Sequence, residues 1–383
     1  MPAADESRTV ILSVNVATAL ETPMDLTYLL EIIPEPWLLA LGGLVVGVLF
    51  GAFAQQSRFC LRAASLEFSR GAPADRLPVW LIAFSAAVLG TQVLAMIGEV
   101  QASEARQLAS PQSLSGALLG GLMFGTGMVL ARGCASRLLV LSATGNLRAL
   151  LSGLVFAVVA QASLRGFFKP LREWLAGIWT TGDIGGNDLT AHLGLTSGMT
   201  IAFTCLWLAA GLVFAWRARV KIWQLVAAAG AGLAIPFAWW FTSGMARQAF
   251  DPVQVEGVTF TGPSADTLML LLSPPGDVLD FDIGLVPGVF LGSFLAALVT
   301  RELNLQGFEG GRSMARYLTG ATLMGFGGML AGGCAVGAGI TGASIFAVTA
   351  WITLTAIWLS AGVTDRVLSG IETGRLQAAQ PTG

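Results

Sequence analysis

The chain has 383 residues, of which 54% are hydrophobic and only 11% charged, and it carries 48 glycines. A soluble domain would have about a quarter of its residues charged, so the class that fits is a polytopic membrane protein, in which glycine enrichment accompanies close helix packing. A formal net charge of −2 without a basic tail excludes nucleic acid as a partner. Four cysteines with no CxxC pair make neither a disulfide framework nor a zinc site, and no cofactor is expected.

Taken in chain order, residues 1–36 are acidic and patchily apolar, without the regions of a signal peptide. They read as a non-spanning segment with a short surface helix at Asp25–Ile33. About 20 apolar residues cross a bilayer as a helix, with about 17 as the lower limit. Nine stretches approach this: 37–54, 78–98, 113–131, 147–164, 199–216, 222–241, 284–300, 316–331 and 344–363. The stretch 264–275 is too short and ends in Pro274-Pro275, which predicts a surface or partly inserted helix. The expected fold is an all-α polytopic membrane protein with about nine transmembrane helices plus short re-entrant helices.

Basic residues set the orientation. With the N-terminus outside, 15 of the 21 Lys and Arg residues fall on the inside, while the connection 242–283 holds one basic and six acidic residues, as an outside loop should. The expected topology is therefore N-terminus out, C-terminus in. Tryptophans at 174, 179, 216, 223, 239 and 240 fit interfacial belts.

An internal duplication organises these spans. Leu118–Ala135 and Leu318–Ala335 are identical at nine of eighteen positions, and each ends in Gly-Cys-Ala. Four spans, one linking span and four more make the second set begin on the opposite side. The halves are then inverted repeats, an arrangement that places substrate sites near the midplane where the repeats meet. The expected division is a segment 1–36, a first repeat 37–164, a linker with one span 165–221, a second repeat 222–363 and a cytoplasmic tail 364–383.

Cys134 and Cys334 each lead into a short apolar segment, Ala135–Ser142 and Ala335–Thr341. Such pieces are candidates for re-entrant elements, which membranes tolerate only where they are buried in protein or line a cavity. The glycines around them, Gly133 and Gly333 included, permit close backbone approach and N–H groups aimed at an anion. Cys60 follows the first span within Gln55-Gln56-Ser57-Arg58-Phe59-Cys60-Leu61-Arg62, and the corresponding stretch of the second half, Phe241–Arg247, has no cysteine. The candidate path is thus an asymmetric one of three thiols, with Arg58 and Arg132, together with Arg137, at its inside mouth. Cys205, mid-span among bulky neighbours, reads as an inert apolar residue.

At Ser57-Arg58-Phe59-Cys60 and at the two glycine-rich stretches ending in Cys134-Ala135 and Cys334-Ala335, the chain resembles the YeeE/YedE family. The resemblance spans almost the whole chain. It implies an inner-membrane, hourglass-like protein embedded in lipid that imports thiosulfate past three cysteines, which map onto Cys60, Cys134 and Cys334. It also implies a cytoplasmic sulfurtransferase of the TusA type as a possible partner, and no enzymatic activity of its own. Related sulfur or selenium species are the other expected substrates.

The chemistry is coherent with those residues. A thiol with its ordinary pKa near 8.5 is a weak neutral donor at neutral pH, and conduction needs sites that each bind weakly enough to release. Neutral S–H···S contacts meet that need for a soft terminal sulfur. Moving a charge of −2 inward against about 100 mV costs about 4.6 kcal/mol, and the nine stretches contain no Asp, Glu or His to couple a proton. Facilitated passage, drawn by consumption of the sulfur inside, is the expectation. A membrane redox or sulfurtransfer protein using the same cysteines covalently is the competing one.

Overall fold

The computed structural model describes residues 26–71, 74–272, 279–307 and 310–378. The acidic start of the N-terminal segment, Pro274-Pro275 and the last residues of the tail lie outside these. Among the described residues every regular element is helical, and strand-like pairing is limited to three isolated β-bridges. A short helix α1 (Thr27–Ile32) stands where the surface helix was expected, followed by α2 (Glu35–Ser57), α3 (Leu61–Ser69), α4 (Arg76–Met96), α5 (Leu114–Leu130), α6 (Ala135–Ala143) and α7 (Leu147–Leu164). Then come α8 (Lys169–Ala176), α9 (Ser197–Arg217), α10 (Ile222–Gln248), α11 (Thr261–Leu272), α12 (Phe281–Thr300), α13 (Gly311–Leu330), a π-helical turn (Ala335–Thr341) and α14 (Val348–Ala378).

The long helices are apolar around their whole circumference, because one side meets other helices and the other meets lipid. On α12, Val289 is fully buried while Leu298 and Val299 are exposed. Eight helical stretches are long and apolar enough to cross a membrane, and three of them run on into the short element that follows: Glu35–Ser69, Leu114–Ala143 and Ser313–Ser344. The expected ninth stretch, 344–363, lies mostly in α14 but is not among the eight. Its Thr349, Thr353, Thr355 and Ser360 dilute the apolar run, although the helix packs along α5.

The packing follows a two-fold pattern: α2 lies on α12 and α10 on α4, while α5 lies on α14 and α13 on α7. The helices α5 and α13, which carry the duplicated segment, cross each other directly. Glycine makes both kinds of contact possible. A Cβ on Gly127 would sit 2.6 Å from the Gly320 carbonyl oxygen, and one on Gly327 would sit 2.8 Å from that of Gly120. Between α2 and α12, Gly43, Gly47 and Gly51 face Gly284, Gly288 and Gly292, and a Cβ on any of these six would strike backbone of the facing helix.

Helix starts are fixed by polar side chains at three of these elements. Ser113 accepts the Gly116 N–H at 2.7 Å, Asn146 that of Ala149 at 2.9 Å, and Asp280 that of Ile283 at 3.0 Å, each satisfying a donor the helix leaves open. The tryptophans divide by exposure. Trp174, Trp216 and Trp223 are exposed, but Trp239 is fully buried, and its Nε1 donates to Ser344 Oγ at 3.2 Å. Trp239 is a core residue because α10 packs between α2 and α4.

Candidate functional site

Three of the four cysteines stand at the same kind of place, just before a short helix that follows a broken long one. Cys60 precedes α3, Cys134 precedes α6 and Cys334 precedes the π-helical turn, all with extended backbone. A helix start leaves N–H groups unpaired and carries partial positive charge. Each sulfur faces the amide three residues on: Ala63 for Cys60, Arg137 for Cys134 and Gly337 for Cys334, the last at 3.5 Å. Among the three only the Cys334 sulfur accepts a helix-start amide as an N-cap, while Cys60 and Cys134 occupy the same position without a capping bond.

The structure brings the thiols of Cys60 and Cys134 together as neighbours. Ser136 Oγ is 3.5 Å from the Cys134 sulfur. Cys334 keeps different company: Thr259 and Phe260 approach its sulfur along with Val336 and Gly337. Counting along the alternating spans puts the Cys60–Cys134 pair toward the arginine-rich face and Cys334 toward the acidic face. Cys134 and Cys334 are buried, Cys60 is half-buried, and Cys205 is exposed on α9.

Arginines surround the thiol pair. Arg137 and Arg62 act electrostatically on Cys60. Arg62 Nε and Arg137 Nη1 are buried without a hydrogen-bond partner. Leaving a charged donor so placed is expensive, and an anion between the two guanidinium groups and the thiols would satisfy them. From here a cleft of about 580 Å³ opens to the arginine-rich face, lined by Arg58, Arg76, Arg137, Arg301 and Glu302 among others.

Several of the expected residues also make other contacts. Arg58 caps α2 in the left-handed region (φ 55°) and pairs with Glu302 at 3.3 Å. Arg132, also left-handed (φ 58°), lies 5.7 Å from the centre of the buried Tyr317 ring, which Arg148 and Arg316 flank as well. The N–H groups of Gly133 and Gly333 do not face a path, because they donate to Met128 and Gly328 carbonyls at 3.1 and 2.8 Å. What Gly333 supplies is room: a Cβ there would come within 2.7 Å of the Ala338 nitrogen. Arg62 is the residue that sequence reasoning passed over, since it counted only toward topology.

The missing fourth cysteine also has a different address. Residues 249–260 do not form a plain outside loop but run inward, where Thr341 Oγ1 donates to the Val258 carbonyl at 2.6 Å and Thr242 Oγ1 to that of Glu256 at 2.8 Å. Phe260 then precedes α11 as Cys60 precedes α3. The counterpart of Cys60 is therefore Phe260, not the stretch Phe241–Arg247, which belongs to α10. Phe260 is buried against Phe50 with ring centres 5.2 Å apart.

The Arg58–Glu302 pair yields a direct prediction. Both side chains are partly exposed, and the pair contributes at most about 1 kcal/mol. Glu302→Gln should leave the melting temperature nearly unchanged yet raise anion entry at the cleft about twofold at low salt, an effect that added salt should erase. A salt-independent change in rate measured on the purified variant would contradict this.

The fold is that of a helical membrane protein with cysteines at three breaks in its helices and buried guanidinium donors beside two of them. The family model described as "Sulphur transport" matches residues 56–363, and the chain belongs to that family. It is similar to the protein named thiosulfate transporter TsuA of Escherichia coli strain K12, with 25% identity over 344 residues covering 83% of this chain and 94% of that protein. It is also similar to the protein of the same name from Spirochaeta thermophila, with 26% identity covering 81% of this chain and 93% of that one. The role of the chain is thus transport of a sulfur anion across a membrane rather than catalysis.

Proposed function

We propose that the protein imports thiosulfate across the bacterial cytoplasmic membrane, with the N-terminus outside and the C-terminus in the cytoplasm. The anion enters from the acidic face, meets Cys334, then the Cys60–Cys134 pair, and leaves through the arginine-lined cleft. The observation that carries this reading is the pair of buried guanidinium donors on Arg62 and Arg137, left without partners beside two thiols. The sulfonate oxygens would take the guanidinium donors and the helix-start amides. The terminal sulfur would take the weak S–H contacts. Each contact is modest, which lets the ion leave.

On this reading passage is facilitated, and an acceptor of the sulfur in the cytoplasm, of the TusA sulfurtransferase type, draws the flow inward. The arginine-rich cleft is where such a partner would collect the ion. A sulfur-auxotrophic host carrying the gene should grow on thiosulfate as sole sulfur source, and the Cys134→Ala variant should not. Growth on sulfate or selenite but not on thiosulfate would overturn the substrate assignment.

A covalent reading has one observation in its favour: Cys60 and Cys134 are close enough to serve as attacking and resolving thiols. Serine variants separate the two. A hydroxyl keeps a donor but forms no persulfide, so partial transport by Cys134→Ser supports passage by hydrogen bonding.

A further inference from the structure

The path that begins at Cys334 opens on a face that repels its own substrate. Glu256 lies on the inward-running segment 249–260, three residues before Thr259, whose side chain approaches the Cys334 sulfur. Around it stand Asp266 of α11 and Asp280 and Asp282 at the start of α12, with Arg106 the charged group of opposite sign acting on Glu256. Asp266 Oδ2 and Asp282 Oδ2 lie 3.9 and 3.6 Å from the point a Cβ on Gly262 would occupy. One oxygen of Asp282 is buried without a hydrogen-bond partner. Arg247, at the end of α10, pairs with Glu99 at 3.1 Å, while Arg165 and Arg106 act on Asp266 within the cluster.

A dianion cannot readily pass several ionised carboxylates, and the barrier falls if one of them is neutral. We propose that Glu256 is a proton-operated gate: protonated, it admits the sulfur dianion to Cys334, and ionised, it turns the ion away. The inference rests on the transport reading above and adds its control. Burial, reinforced by the charges of Asp280 and Asp266, pushes the Glu256 carboxyl up to about 7, with Arg106 opposing. The gate therefore opens and closes in the range a bacterium meets outside its membrane. Glu256 is also tied to the site mechanically, because its backbone N–H and carbonyl both bond Thr242 Oγ1, at 3.2 and 2.8 Å. The proton stays on the gate and sets rate, not accumulation.

The test uses the full chain in proteoliposomes, with ³⁵S-thiosulfate added outside, the inside pH fixed and the outside pH varied from about 5.5 to 8.5, a range that spans an unperturbed and a raised carboxyl. Thiosulfate remains a dianion throughout. Initial uptake should fall about tenfold across this range, with a midpoint near 7. Glu256→Gln should hold the fast rate at every pH. Asp266→Asn removes a charge that raises the Glu256 carboxyl, so its midpoint should move to lower pH without loss of the maximal rate. A merely structural role for Glu256 would move neither midpoint. A pH-independent wild-type rate, or a Glu256→Gln variant that keeps the wild-type profile, would overturn the gate while leaving transport standing. Absence of uptake at every pH would overturn the transport reading beneath it.

Discussion

Cys334→Ala and Cys134→Ala should each lower thiosulfate uptake by about 10- to 100-fold, the loss expected when one hydrogen bond to a charged group is removed from a path. The protein itself should survive. Cys334 caps a short helix start, and losing such a cap costs only about 1 kcal/mol, while Cys134 makes no capping bond to lose. Uptake and fold are therefore separable, and size-exclusion profiles of the purified variants should match that of the wild type. The serine variants should retain part of the activity, since a hydroxyl restores the donor but not the soft sulfur. Cys205→Ala should behave as wild type, because that thiol is exposed on α9, away from the re-entrant elements. Loss of uptake in Cys205→Ala equal to that in Cys334→Ala would mean that the thiols act through something other than position.

Gly47→Leu should prevent the protein from folding, whereas Gly153→Leu should be tolerated. A Cβ on Gly47 would lie 2.8 Å from the Val289 nitrogen and 2.9 Å from the Gly288 Cα, and backbone cannot turn aside as a side chain can. Membrane helices associate through such close packing, with no hydrophobic force between them to compensate, and overpacking costs about 1–3 kcal/mol even where side chains can adjust. A Cβ on Gly153 meets nothing within 4 Å. Yield of monodisperse protein in detergent distinguishes the two. Equal recovery of both variants would contradict the packing account.

The duplicated motif shows how much was legible beforehand. Its nine identities advertised pseudo-symmetry, and the observed pairing of α2 with α12 and α10 with α4 follows a two-fold pattern. Most of the identities, though, are there for contact rather than chemistry. Gly120 and Gly127 meet Gly327 and Gly320, while Gly125 abuts Ile357 of α14 and Gly325 abuts Phe156 of α7. Composition and apolar run length carry the helices because the bilayer fixes both.

What hydropathy does not carry is the inward course of 249–260. That segment reads as a polar, acidic loop and is buried only because its backbone finds partners in Thr242 and Thr341. One signal lay in the numbering: the offset of two hundred residues that relates Cys134 to Cys334 also relates Cys60 to Phe260. Arg62 and Arg137 were legible as basic residues but not as partners of a thiol pair. Their depth depends on where α3 and α6 turn back into the protein.

Passage of a sulfur anion along the thiols is tested most directly by a structure of the full chain with selenosulfate in place of thiosulfate, located by the anomalous scattering of selenium. The expected result is selenium within about 4 Å of the sulfur of Cys334 and of the Cys60–Cys134 pair, the reach of a hydrogen bond to sulfur, with the sulfonate between Arg62 and Arg137. Selenium bound only at the exposed arginines of the cleft, with none at any thiol, would contradict it.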